Sequence, residues 1–80
     1  MEIEITLHAK ERMQKYNVSE SFLKFAIENP SSVIESYGSR IIYQRRLNGY
    51  ILRIIVEESK EIRKSVVITV YKAKSERYEI

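Results

Sequence analysis

Asn48-Gly49, set between two runs of β-forming residues, constrains the fold of this chain more than any other feature. A type I′ hairpin loop needs two residues that tolerate positive φ, which Asn and Gly do and most residues do not. The dipeptide predicts a hairpin of residues 40–47 and 50–57, and a two-residue loop leaves its register no freedom. Leu47 then faces Tyr50, Arg45 faces Leu52, Tyr43 faces Ile54 and Ile41 faces Val56, giving one nearly apolar face. The other face pairs Arg46 with Ile51, Gln44 with Arg53, Ile42 with Ile55 and Arg40 with Glu57. One side is built to meet a core, and the basic side is left for a partner.

Upstream of the hairpin the hydrophobic period is 3.6 rather than 2. Thr6 predicts an N-cap for a helix over 7–16, ended by Asn17, which tolerates a left-handed turn. Ser19 caps a second helix with Phe22, Leu23, Ala26 and Ile27 on its packing face, and Asn29-Pro30 halts it. Residues 32–36 read as a first strand, followed by a turn at Tyr37-Gly38-Ser39. After the hairpin, a polar loop over 59–64 leads to the most β-prone run, 66–71. In it Val66, Ile68 and Val70 project one way and Val67, Thr69 and Tyr71 the other. With the aliphatic set on the helices, Thr69 and Tyr71 join Gln44, Arg46 and Arg53 on the open face. Residues 75–80 read as a short strand or tail. The expected class is α+β: two N-terminal helices packed on a single antiparallel sheet of about four strands, in one domain over 1–80. An exposed edge on the last strand favours a homodimer.

Eighty residues allow one core, and a chain of this size buries only about 60% of its unfolded surface. With no cysteine, a disulfide framework and a thiolate site are excluded, and with one histidine a structural zinc set is almost excluded. Two glycines leave no Gly-rich phosphate loop, so neither a metal nor a nucleotide cofactor is expected. No apolar run approaches the roughly 18 residues of a membrane span, and the opening Met1-Glu2-Ile3-Glu4 lacks the basic start of a signal peptide. The expected address is the cytoplasm, away from membranes. Fourteen Lys and Arg against eleven acids give a net charge of +3. Arg40, Arg45, Arg46 and Arg53 cluster in the middle third, as a patch suited to phosphate or as solvated strand charges that blunt edge pairing.

His8 is the only histidine, four residues before Arg12, so both side chains leave the same side of the first helix. Ile5, Ala9, Met13 and Tyr16 form an apolar stripe, and Arg12 falls inside it. A guanidinium so placed pairs with a carboxylate such as Glu11, Glu28 or Glu35, snorkels past the stripe, or lines a cavity that receives an anion. Metal-free cleavage of RNA requires a base for the 2′-hydroxyl, donors for the phosphoryl oxygens and an acid for the leaving oxygen. Imidazole serves as acid or base near neutrality, and Arg matches phosphate with a planar fork of donors. His8, the clustered arginines and Thr69-Val70-Tyr71 supply these types, although each also has a plain structural use, Thr and Tyr being good strand formers.

The stretch His8-Ala9-Lys10-Glu11-Arg12-Met13, with Val18-Ser19-Glu20, Glu28-Asn29-Pro30, the arginine-rich hairpin and Val67-Ile68-Thr69-Val70-Tyr71, resembles the domain-of-unknown-function 4258 family over nearly the whole chain. The opening H-A-x-x-R-M is its most specific part. That family is grouped with RelE-like and barnase-like ribonuclease toxins, so the resemblance implies a RelE-like fold and a metal-independent endoribonuclease, often encoded beside a small antitoxin. Carried over, His8 and Arg12 match the helix motif, Arg46 matches the basic strand position with Arg45 in competition, and Thr69 and Tyr71 match the last strand. Those five residues form the expected catalytic set, with Arg40, Gln44, Arg45 and Arg53 contacting RNA. The expected function is toxin-like cleavage of RNA by 2′-hydroxyl attack. The alternative is a non-catalytic module that binds RNA or a protein partner on the same scaffold, and a third reading has His8 and Arg12 only bracing helix against sheet.

Overall fold

The Asn48-Gly49 hairpin forms in the expected register, Leu47 opposite Tyr50 through Arg40 opposite Glu57. Its turn differs from expectation. Gly49 alone of the two takes a positive φ, 78°, so the loop is not type I′. The computed structural model describes residues 2–77. In chain order these form β1 (Glu2–Ile5), α1 (Leu7–Tyr16), α2 (Glu20–Glu28), β2 (Ser32–Glu35), β3 (Arg40–Leu47), β4 (Tyr50–Ser59), β5 (Lys64–Lys74) and a 3-10 turn at Ser75–Arg77. Among them no helix is long and apolar enough to cross a membrane.

Both helices begin and end where their capping residues dictate. Thr6, in extended backbone, accepts the Ala9 N–H at 3.1 Å, and Asn17 adopts the left-handed conformation at φ 58° that closes α1. Ser19 accepts the Phe22 N–H at 3.1 Å, and α2 stops at Asn29 before Pro30. Ala9, Met13, Val18, Leu23 and Ala26 pack on Leu52, Ile54, Val56, Val67 and Val70, so the core lies on one face of the sheet.

The sheet itself corrects the sequence reading. Among the described residues it has five strands, in the order β1-β5-β4-β3-β2, and it is mixed rather than antiparallel because β1 pairs parallel to β5. Ile5, read as part of the helical stripe, instead ends β1, though it does pack against the core. β5 is thereby interior. The edges are β1 and β2, which removes the basis for a homodimer through the last strand. Lys64 Nζ bonds Glu4 Oε1 at 2.9 Å across the parallel pair, and that hydrogen bond raises the lysine pKa.

Strict alternation along β5 fails as well. Val56 faces Val67 but Ile55 faces Thr69, so the chain takes up an extra residue at Ile68. Such a bulge re-aims everything beyond it. Val67 and Val70, three apart, therefore both enter the core. β5 also runs beyond 66–71, to Lys74, and Ser75–Arg77 is a 3-10 turn rather than a strand; the rest of the expected tail, residues 78–80, lies outside the described residues.

Where β4 meets β5 on the helix side, Glu58 Oε2 accepts from Tyr43 Oη at 3.1 Å and from Ser65 Oγ at 3.2 Å. Burial, then the hydrogen bond to Glu58 and its charge, push the Tyr43 pKa from 10.0 up to about 12. The folded chain holds this proton after the unfolded chain has released it. The stabilisation is complete below pH 10 and lost as pH rises toward 12. Urea denaturation across that range is expected to show a shallower alkaline loss for Tyr43→Phe than for the parent.

Candidate functional site

The site is assembled at the junction of β1 and α1. β1 ends with Ile5 opposite Val67. Thr6 then grips β5: its N–H bonds the Val67 carbonyl at 3.2 Å, and its hydroxyl, while capping α1, donates to the same oxygen at 3.0 Å with the Ile68 carbonyl 3.2 Å away. This grip lays the first turn of α1 along the bulge. His8 Nε2 consequently stands 3.1 Å from Thr69 Oγ1. Thr6→Ala removes the cap and the tether together, so a loss of about 1–2 kcal/mol is expected in urea denaturation, with most of it recovered in Thr6→Ser.

Thr69 faces Ile55, and through it Ile42 and Ile34, on the side of the sheet away from the helices. His8 terminates that row. The next row on the same face is Ser32, Gln44, Arg53 and Tyr71. Arg53 Nη1 donates to Tyr71 Oη at 2.6 Å, and its guanidinium lies 5.6 Å from the centre of the tyrosine ring. A third row holds Arg46, Ile51 and Ala73. His8, Thr69, Tyr71 and Arg53 are thus neighbours on one face, with Arg46 beside them.

The remaining predicted residues are distributed differently. Arg12 is half-buried one turn after His8, and among the described residues no hydrogen bond or ion pair holds its guanidinium, so it is not braced by Glu11, Glu28 or Glu35. Arg40 is exposed at the far end of the face, opposite Glu57. Gln44 is on the face but only 1% exposed. Arg45 points the other way: its Nη1 donates to the Asn29 carbonyl at 2.6 Å, and its guanidinium sits 5.1 Å from the Phe25 ring centre. It caps the end of α2, which leaves Arg46 as the arginine of the pair that shares a face with Tyr71. The Arg53–Tyr71 bond was not foreseen, because the loop between β4 and β5 carries no signal as definite as Asn-Gly. Neither was the tether made by Thr6, a residue identified only as a cap.

Chemically, the arrangement joins a proton-transfer group to a hydroxyl and a guanidinium to a phenol. The first turn of α1 contains no acidic residue, and helix N-termini favour anions through their unpaired N–H groups. The tautomer of His8 decides which partner donates to the other. With Nε2–H donating to Thr69, Nδ1 presents a lone pair that can accept a proton. Among the described residues one groove lies between α1 and α2 and another around Glu35–Arg40 and Glu58–Glu61. Among the described residues no three His or Glu side chains gather as a metal-ligand set.

The model of the family described as "Domain of unknown function (DUF4258)" matches residues 5–72, a span that begins at the β1–α1 junction and takes in His8, Arg46, Arg53, Thr69 and Tyr71. No curated protein and no solved structure matches the chain.

Proposed function

We propose that this chain, which belongs to the DUF4258 family, is a metal-independent endoribonuclease with a RelE-like relationship to ribonuclease toxins, acting in the cytoplasm and held in check by a small antitoxin protein. The observation that carries the reading is the 3.1 Å approach of His8 to Thr69 beside the 2.6 Å Arg53–Tyr71 bond on one half-buried, basic sheet face. In this reading His8, steadied by Thr69, takes the proton of a ribose 2′-hydroxyl. The 2′-oxygen bonds to the adjacent phosphorus while the bond to the 5′-oxygen breaks, and the leaving oxygen receives the Tyr71 phenolic proton. Arg46 and Arg53 offer donors to the phosphoryl oxygens as charge accumulates there, and Arg12 adds a positive field from α1. The products are a 2′,3′-cyclic phosphate and a free 5′-hydroxyl.

Incubating the protein with end-labelled single-stranded RNA in chelator tests this directly. The expected result is cyclic-phosphate ends at an undiminished rate; cleavage abolished by the chelator overturns the mechanism. Salt-sensitive binding with no product would identify a binding module in place of an enzyme. The two adjacent arginines give an internal check. Arg46→Ala is expected to weaken RNA affinity and reduce the salt dependence by about one ion, whereas Arg45→Ala loosens the α2 cap and leaves the salt dependence unchanged.

A further inference from the structure

Among the described polar side chains of the open face that the mechanism leaves unused, Gln44 is the buried one. Gln44 occupies the row between Ser32 and Arg53, is 1% exposed, and its Oε1 is buried with no hydrogen-bond partner. A buried amide oxygen left unpaired opposes folding, and an apolar side chain of equal length would serve the sheet better. Its burial also keeps Gln44 from touching a polymer laid across the face. Ser32 stands opposite Gln44 on one side, and on the other the charged donor opposite Gln44 is Arg53. Gln44 and Arg53 are directly cross-strand partners, a relation that places Cβ atoms about 5 Å apart.

We infer that Gln44 is a positioning residue for Arg53, an inference that rests on the ribonuclease reading. When charge building on a phosphate draws the guanidinium off Tyr71, one Arg53 N–H turns to Gln44 Oε1. Two others remain directed at phosphoryl oxygens. The amide oxygen is unpaired until charge builds on the phosphoryl oxygens and paired in the transition state, so its interaction strengthens along the reaction.

Gln44→Met keeps the length of the side chain and removes the amide, while Gln44→Glu keeps an acceptor oxygen. The expected result is that Gln44→Met melts at or above the parent temperature while kcat for RNA cleavage falls about ten- to hundredfold, the scale of a hydrogen bond to a charged group, with little change in KM. Gln44→Glu recovers most of the rate. In an Arg53→Ala background, adding Gln44→Met is expected to have no further effect, because the residue through which Gln44 acts is gone. A Gln44→Met protein that cuts as fast as the parent, or one whose loss persists undiminished without Arg53, overturns the inference alone. A parent protein that cuts no RNA overturns the underlying reading and this inference with it.

Discussion

Replacing His8 by alanine is expected to slow RNA cleavage by about 10²–10⁴-fold, the contribution of a positioned acid–base group, with almost no change in melting temperature. The separation of the two effects follows from where His8 sits. The imidazole is exposed and its bond to Thr69 is its single hydrogen bond among the described residues, so the fold depends on it by about 0.5–1.5 kcal/mol. The chain holds no second histidine to take over the proton. Single-turnover cleavage with a parallel thermal melt gives the answer. A rate that survives the substitution removes His8 from the mechanism, and a collapse of both rate and melting temperature makes it a structural residue.

Ile54→Ala is expected to bring the domain close to unfolding. Ile54 is fully buried at the centre of the sheet, between Tyr43 on β3 and Val70 on β5, on the side that meets the helices. Truncating a buried isoleucine costs about 2–5 kcal/mol, depending on how far the surroundings close over the cavity. A chain of 80 residues has only about 4–12 kcal/mol in total. Ile55→Ala, one residue on but facing the other way and half-buried, is expected to cost clearly less. Urea denaturation of the pair measures the difference, and equal losses would contradict the assignment of the core to one face.

What could be read from the residues was local. Capping side chains and a Pro stop act within one turn, so both helices were legible to the residue. The Asn-Gly hairpin was legible in register, and with it the separation of Arg45 from Arg46, since neighbours on a strand face opposite ways. The turn type was not, because Asn48 tolerates either sign of φ. β1 was missed because its four residues gain their backbone partners from the segment Lys64–Val67, far along the chain, and nothing nearby records that pairing. The bulge was missed because every residue from Val66 to Tyr71 is an equally good strand former, so composition does not mark the point where alternation slips. For the candidate site, the residue types and the shared face were legible. The contacts that bring His8 to Thr69 and Arg53 to Tyr71 depend on those two long-range events.

Thr6 meets Val67, and His8 meets Thr69, across 61 positions of sequence each. During synthesis the helices and hairpin emerge first, and domains fold as their parts become available. A nascent chain halted before β5 would carry the imidazole and the hairpin arginines but not the hydroxyls that face them. Under the proposed activity, an unfinished copy is therefore harmless to the message still being translated, and the danger begins only when the last strand has left the ribosome.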